Sequence, residues 1–411
     1  MGLVVDFEVV VFLLVYVGMV LGTLPFLQLD RTGVALLGAI ALVGVGALTP
    51  EQAARSIHLP TLLLLFSFMV ISAQMRLGGF YAWVTRRIAS LPLKPAGLLG
   101  VTMAVAAALS AVFSNDVVCL SVAPVLADAC LRRGLDPVPF LLGLACAANI
   151  GSAATLIGNP QNMLIGEVLR LSFARYLGYA FVPAALGLVS AWLLIAWQMR
   201  HRWQAAASAP AHPERREAEE AFDRWQTTKG LVVVATLVVV FLLTSWPREV
   251  AALVGAGLLM TSRRLHSNKM LGLVDWELLI LFIGLFVVNH ALAQTGVTAQ
   301  AVAWLAATGV PLSEPAPLFA ATFVLSNIVS NVPAVMLLLP AATQPFSGPM
   351  LALVSTLAGN LFIVGSIANI IVVDAARRRG IGISWLRHAR TGVPVTLVTL
   401  AVTAAWFALQ G

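Results

Sequence analysis

The chain has 411 residues, of which 60% are hydrophobic and only 10% are charged. Because soluble domains carry about 25% charged residues, this composition excludes a soluble protein and predicts a helical membrane protein with many spans. The formal charge of +7 does not indicate a nucleic-acid partner, because the basic residues lie in short loops between apolar segments.

Apolar segments follow one another along the chain, most of them near the length that a bilayer span requires. They cover residues 9–28, 32–48, 61–77, 96–130, 138–165, 175–198, 229–246, 249–261, 275–294, 315–345, 349–373 and 391–409. The first segment has no basic region before it and no cleavage site after it, so we predict a span and not a removed signal. Residues 79–91 and 297–309 are predicted as interfacial helices, the first with Tyr81, Trp83, Arg86 and Arg87 at the headgroup level.

One polar stretch, residues 199–228, divides the chain. It contains Pro210, Pro213 and a mixed-charge run from Glu214 to Arg224. We therefore predict a first repeat over 1–198, a cytoplasmic linker over 199–228 and a second repeat over 229–411.

The two halves share a polar motif inside apolar surroundings. Ser114-Asn115-Asp116, followed by Pro124, recurs 216 residues later as Ser330-Asn331-Val332, followed by Pro340. A Ser-Asn pair is costly there, because hydrocarbon offers it no hydrogen-bond partner. Further along, an offset of 207 residues places Gly158 and Asn162 on Gly365 and Asn369. Such matches predict a transporter built from a repeat, with a binding site at the membrane midplane.

The distribution of Lys and Arg among the loops predicts the orientation of the halves. Most basic loops lie in the cytoplasm if the linker is cytoplasmic and if 96–130 and 315–345 are re-entrant hairpins. Each half then crosses the membrane about five times, and an odd number of crossings inverts the second half. The predicted fold is an all-α polytopic membrane protein with two inverted repeats, each with a hairpin and a broken helix. It has about 10 spans and 2 hairpins, and both termini lie in the periplasm or outside the cell. Two ordinary spans joined by a buried turn would give the same parity, so that interpretation of each hairpin stays open.

Glycine and proline interrupt the apolar segments around residues 149–162 and 359–369. They free backbone groups that only a polar partner or a cavity can satisfy, and the half-helix N-termini direct partial positive charge to the midplane. Helix packing through small and polar residues is the alternative. The candidate residues for binding substrate or ion are those at the hairpin tips and the breaks: Ser114, Asn115, Asp116, Asn149, Ser152, Thr155, Gly158, Asn159, Asn162, Ser330, Asn331, Asn360, Gly365, Ser366 and Asn369.

Asp116 is the candidate coupling residue. A carboxylate at mid-bilayer costs about 2.5 to 3.5 kcal/mol on insertion scales, so it is seldom present there without a function. We expect it to couple transport to H⁺ or Na⁺; the competing interpretation is a helix cap. No metal site or cofactor is predicted, since Cys119, Cys130 and Cys146 lack metal-ligand spacing.

These motifs, together with Ser326-Asn327 before the second Ser-Asn pair, resemble the signature regions of the ion transporter superfamily. They are most similar to the branch that holds arsenical pump membrane proteins and sodium–proton antiporters, over nearly the whole chain. The resemblance implies a scaffold domain, a mobile transport domain made of two hairpins and two broken helices, and a homodimer. The dicarboxylate branch typically has Ser-Asn-Thr at both tips, whereas Asp116 and Val332 stand in the third positions here, which argues against carboxylate uptake.

We therefore predict an ion-coupled secondary transporter of a small inorganic solute in the cell (inner) membrane. On the resemblance, the first substrate is arsenite or antimonite, exported against protons. The alternatives are a sodium–proton antiporter, a sodium- or proton-coupled carboxylate transporter and, from another class, a passive channel. An enzyme is not predicted, because the chain has neither a Walker-type motif nor a His-Glu-x-x-His run, and nothing indicates a partner ATPase.

Overall fold

The computed structural model describes residues 6–22, 29–200, 202–204, 222–262 and 264–410. Within these ranges the chain folds into α-helices with two short 3-10 segments. The all-α prediction is confirmed.

The first half contains ten helices: α1 Phe7–Leu21, α2 Arg31–Gly44, α3 Pro50–Ser56, α4 Leu59–Leu77, α5 Phe80–Ala89, α6 Pro95–Ser110, α7 Asn115–Arg132, α8 Pro137–Ala153, α9 Pro160–Val168 and α10 Phe173–Met199. The second half repeats this order: α11 Arg224–Leu243, α12 Arg248–Met260, α13 Ser267–Leu271, α14 Trp276–Gln294, α15 Val297–Ala307, α16 Pro315–Val329, α17 Asn331–Leu338, α18 Ser347–Ala358, α19 Ile367–Arg377 and α20 Trp385–Ala408. Each helix of the first half thus has an equivalent ten helices later.

Within the described part of the chain, five helices are long and apolar enough to cross a membrane: α4, α10, α11, α14 and α20. Several of the other predicted spans, among them α1, α2, α6, α8, α16 and α18, are shorter apolar helices. The predicted first span, 9–28, is the helix Phe7–Leu21, and residues 23–28 lie outside the described part of the chain. Most of the predicted linker, residues 205–221, also lies outside it, and helix α11 begins at Arg224, before the predicted position of 229. The domain boundaries stay a prediction.

Each predicted hairpin consists of two helices that turn at the Ser-Asn pair. The first, α6 and α7, turns over residues 111–114, and the second, α16 and α17, turns at Ser330. Each predicted broken helix consists of two short helices, α8 with α9 and α18 with α19, separated by residues 154–159 and 359–366.

Local sequence explains where α9, after the first break, and the scaffold helix α14 begin. Helix α9 begins at Pro160, whose fixed φ suits the first helical turn, and the Asn159 side chain accepts the hydrogen bond of Asn162 N. Helix α14 begins after Asp275, which caps Leu278 N at 2.9 Å in the same way.

The helices pack in two groups. In the scaffold group, α4 packs on α12 and its equivalent α14 packs on α2, with α1 and α11 beside them. In the transport group, α8 and α18 pack against their own hairpins, and α10 packs against α20. The transport group comprises α6–α10 and α16–α20.

Helix α5 differs from the interfacial helix that the sequence predicts. Tyr81 is only 1% exposed and packs edge-on against Phe113 at the first hairpin turn, with ring centroids 5.8 Å apart. The Tyr81 ring therefore packs inside the protein, beside the first hairpin, and is not exposed to lipid headgroups. Its neighbour Trp83 is 43% exposed, and α15, the equivalent of α5, buries none of its residues.

Candidate functional site

The two helix breaks are held by asparagines in the same way. Asn162 Nδ2 donates to the carbonyls of Ser152 and Thr155 at 3.3 and 2.9 Å. Asn369 Nδ2, 207 residues later, donates to the carbonyls of Gly359 and Phe362 at 2.7 and 3.0 Å. The two pairs of carbonyls occupy equivalent positions, at ends of helices where intrahelical partners run out. The nitrogens of these two candidate ligands therefore stabilise the breaks.

Reciprocal hydrogen bonds join the two broken helices across the pseudo-symmetry. Asn159 Nδ2 donates to Thr356 Oγ1 at 3.1 Å. Ser366 Oγ, the equivalent of Asn159, donates to Asn149 Oδ1 at 2.9 Å, and Asn149 is the equivalent of Thr356. Each break is thus bonded to the helix that precedes the other break.

The orientation of the Asn149 amide follows from its neighbours. Because two carbonyls hold Asn369 Nδ2, Asn369 Oδ1 must accept, and it does so from Asn149 Nδ2 at 3.2 Å. Asn149 Nδ2 also donates to Asn360 Oδ1 at 2.9 Å. Asn149 Oδ1 is therefore the acceptor for Asn115 Nδ2, at 3.2 Å. The first hairpin tip and both broken helices meet at this one amide.

Two buried atoms of this network have no hydrogen-bond partner within the described residues: Asn115 Oδ1, an acceptor, and Asn360 Nδ2, a donor. Buried polar groups in native structures are nearly always paired, so such atoms are candidates to contact a ligand. They offer one acceptor and one donor close to Asn149.

Gly158 lets the first hairpin tip approach the break. Its carbonyl accepts from Asn115 N at 3.2 Å, and an added Cβ would lie 2.4 Å from the Ser152 oxygen. At the equivalent Gly365, an added Cβ would lie 3.0 Å from the Gly359 oxygen, so the second break is less tightly packed.

The second hairpin tip is built differently from the first. Ser330 has φ +80° and ψ 162°, a conformation that essentially only glycine adopts without strain. Beside it, Asn331 Oδ1 and Asn327 Oδ1 are buried, with no partner among the residues that the structure describes. Asn327 Nδ2 donates to its own helix at Phe323, so its oxygen is directed elsewhere, toward Gly365.

Two of the remaining hydroxyl candidates, Thr155 and Ser152, have hydrogen-bond partners within the protein. Thr155 Oγ1 donates to the Ala111 carbonyl in the first hairpin turn, at 2.5 Å. Ser152 Oγ donates to the Asn149 carbonyl and accepts from Asn159 Nδ2. Ser114 precedes α7, and its side chain makes no capping hydrogen bond.

Asp116 faces away from the asparagine network. It lines a cavity of about 110 Å³ together with Arg76 of α4 and Asp275 at the start of α14. The cavity lies between the transport group, which contributes α7 and α19, and the scaffold group. Asp116 is in the first turn of α7, whose N-cap is Ser114.

Sequence analysis missed several members of the network. Thr356 stands 207 residues after Asn149, so the repeat offset could have identified it. Gln161 Nε2 donates to Thr356 Oγ1 at 3.2 Å, and the Tyr176 hydroxyl accepts from Asn162 Nδ2 at 3.2 Å. No sequence signal points to Tyr176, because it lies in a separate span.

The network consists of amides and hydroxyls, and among the residues described it contains no Asp, Glu, Lys or Arg side chain. The half-helix N-termini of α9 and α19 add partial positive charge at the breaks. Within the described chain, no group of three or more His, Cys, Asp and Glu residues could hold a metal ion. The three cysteines are buried and free. The site can therefore hold a small polar solute through hydrogen bonds.

Comparison with known proteins gives matches over nearly the whole chain. Residues 10–358 match the family model described as CitMHS, citrate transporter. An uncharacterized transporter of Mycobacterium tuberculosis (strain CDC 1551 / Oshkosh) is 30% identical, over 93% of this chain and 94% of its own. The silicon efflux transporter LSI3 of Oryza sativa subsp. japonica is 29% identical, over 92% and 93%. Among solved structures, the YdaH transporter of Alcanivorax borkumensis superposes with a TM-score of 0.54 at 14% identity, over 97% of this chain and 95% of its own.

Proposed function

This chain belongs to the CitMHS citrate transporter family, and we propose that it exports a small uncharged inorganic acid with hydroxyl groups in exchange for protons. The first candidate substrates are arsenite and antimonite in their uncharged acid forms. Transport proceeds by alternating access. The observation that carries the proposal is the uncharged hydrogen-bonding network centred on Asn149.

The network suits a solute with hydroxyl groups better than a carboxylate. Many sites that recognise carboxylates use Arg, which can bind them through two parallel bonds, and no Arg or Lys side chain belongs to the network among the described residues. Here Asn115 Oδ1 is an acceptor and Asn360 Nδ2 a donor without a partner among the residues that the structure describes. The O–H groups of arsenous, antimonous or silicic acid can both donate and accept, whereas a carboxylate could use only the donor. The rice relative is named as a silicon efflux transporter, which supports this class of solute.

The position of Asp116 supports proton coupling. Its carboxyl lies in a cavity between the transport and scaffold groups, with one basic and one acidic neighbour, Arg76 and Asp275. Gain or loss of a proton changes the charge at a boundary where the two groups must move past each other. Proton binding would then favour one arrangement of the groups over the other.

The test is a flux assay with purified protein in liposomes. Arsenite, antimonite, silicic acid, citrate and sodium are offered one at a time, with and without a pH gradient. We expect arsenite, antimonite or silicic acid to accumulate against its gradient, and this accumulation to disappear when a protonophore is added. Transport of citrate or sodium without transport of any of the three inorganic acids would overturn the proposal. Downhill flux that does not respond to the protonophore would identify a channel.

Sodium coupling is the second candidate, and the second hairpin tip favours it. Asn327 Oδ1 and Asn331 Oδ1 are unpaired amide oxygens, the kind of ligand that hard cations prefer. If sodium takes part, the flux of the inorganic acid depends on a sodium gradient, and Asn331→Ala weakens that dependence.

A further inference from the structure

A buried ion pair joins the transport group to the scaffold group. Glu167 of α9 and Arg248 of α12 approach to 2.9 Å, and their side chains are 8% and 13% exposed. Arg248 Nη2 also donates to the Gly166 carbonyl at 2.7 Å. The ion pair and this hydrogen bond therefore link α9 to the scaffold in this conformation.

The repeat contains a second pair with the same charges. The offset of 207 that relates Asn162 to Asn369 places Glu167 on Asp374 of α19. The offset of 217 that relates Gly38 to Gly255 places Arg31 of α2 on Arg248.

This second pair is not formed among the described residues. Asp374 is bonded instead to Arg377 and Arg378 of its own helix, both at 2.8 Å. Of these two pairs, the structure of the described residues shows only Glu167–Arg248 joining the two groups.

Burial differs between the two sides in the same sense. In α9, Met163 is 2% exposed, and Pro160 is buried. Their equivalents in α19, Ile370 and Ile367, are 39% and 41% exposed. Helix α9 packs on scaffold helix α4, whereas Ile367 lines the cavity that separates α19 from the scaffold. The α9 side is closed and the α19 side is open.

We propose that Glu167–Arg248 and Arg31–Asp374 are alternating gate pairs, one of which closes as the other opens. Alternating access moves one bundle against the other around a fixed site. Because the two halves are inverted repeats, we expect each half to take up, in the opposite state, the arrangement that the other half has in this structure. The structure holds the first gate pair closed; in the opposite state Asp374 leaves Arg377 and Arg378 and binds Arg31. The inference rests on the alternating access of the proposed function, but not on the identity of the substrate. With the predicted orientation, the structure is open to the cytoplasm.

Cross-linking tests the exchange directly. One variant carries Glu167→Cys with Arg248→Cys, a second carries Arg31→Cys with Asp374→Cys, and a third carries all four substitutions, each in the full chain in liposomes. Parent protein with its three buried cysteines is the control. We expect a short reducible cross-linker to join the two cysteines of each pair during turnover and thereby to stop transport. Transport should resume when the cross-linker is reduced. In the third variant, joining one pair should prevent the other from being joined.

Two results would overturn the gate pairs: both pairs joined in the same molecule, or an Arg31–Asp374 pair that never cross-links during transport. If the cross-links exclude each other but arsenite and antimonite are not carried, the gate stands and the proposed substrate fails. The two inferences are thus distinguishable.

Charge substitutions give an independent readout. Glu167→Gln and Arg31→Gln should each slow transport about tenfold, since each removes the closure of one state. The exchange Glu167→Arg with Arg248→Glu should restore most of the rate. Asp128→Asn is the matched control, because it breaks an ion pair with Arg379 at 2.8 Å that lies within the transport group. Its rate should stay within about twofold of the parent. Equal effects of Asp128→Asn and Glu167→Gln, with no recovery on charge exchange, would contradict the gate.

Discussion

At the scale of single residues, equivalent positions of the repeat share some tasks and not others. Asn162 and Asn369 make the same pair of backbone hydrogen bonds, because each lies one turn after a helix break. Asn115 and Asn331 do not behave alike: Asn115 bonds Asn149, whereas Asn331 Oδ1 has no partner among the described residues. The asymmetry of the third motif residue, Asp116 against Val332, therefore accompanies a wider difference between the tips.

Substituting Asp116 tests the coupling role. Asp116→Asn keeps the shape of the side chain but cannot carry a negative charge, so transport should no longer depend on the pH gradient while the protein still inserts. Flux at several imposed gradients is the measurement. Asp275→Asn is the control, because asparagine also caps a helix and the change removes a charge from the same cavity. If Asp116→Asn retains the parental pH dependence, Asp116 does not couple protons.

The two tip serines should respond to glycine with opposite signs. Ser330→Gly relieves a strained conformation at φ +80° and should stabilise the protein by about 1 kcal/mol. Ser114 has φ −55°, which any residue adopts, so Ser114→Gly should destabilise by about 0.5–1 kcal/mol through added freedom of the unfolded chain. Thermal unfolding in detergent measures both changes. A loss of stability in Ser330→Gly would show that its side chain is needed at the tip.

At the scale of helices, the two hairpins are held unequally. The first is supported by α5, where Tyr81 and Phe80 surround Phe113. The second has no such support from α15, which buries none of its residues. The second hairpin has fewer contacts to break and is the more mobile candidate during transport.

Alanine at the two break glycines should separate a tight break from a looser one. In Gly158→Ala the new Cβ meets backbone oxygens at 2.4 and 2.7 Å, so α9 must shift and transport should be lost. In Gly365→Ala the nearest atom lies at 3.0 Å, and a small adjustment suffices. We expect Gly365→Ala to retain at least about a tenth of the parental rate in the same flux assay. Equal loss in both variants would mean that the helix breaks do not differ as described.

At the scale of the whole molecule, the charge distribution predicts a cytoplasmic linker and external termini. Cysteines introduced at Ser208 and Gln410 test this in whole cells with a membrane-impermeant thiol reagent. The Gln410→Cys variant should be labelled directly, and the Ser208→Cys variant only after the cells are opened. The parent should stay unlabelled, because Cys119, Cys130 and Cys146 are buried. Labelling of the Ser208→Cys variant in intact cells would reverse the orientation.

The sequence by itself determined the class of fold, the order of the helices and the residues at tips and breaks. These properties depend on apolar segment length, on Gly, Pro and Asn within a segment, and on repeat offsets, all of which are local or periodic. The same offsets contain the gate charges Glu167, Asp374, Arg31 and Arg248, but no local pattern distinguishes them from other charges at helix ends.

Only the tertiary structure decided how these residues meet. The Asn149 amide joins Asn115, Asn360, Asn369 and Ser366, partners up to 220 residues away, and its orientation depends on carbonyls that bind a different asparagine. Asp116 lines a cavity between the transport and scaffold groups, whereas the side chain of the preceding residue, Asn115, belongs to the network. The α9 side is closed and the α19 side is open because the two copies of the repeat have different conformations in the same molecule. Hydrogen bonds and packing between distant segments select between those conformations. The sequence of one segment alone does not specify these long-range contacts.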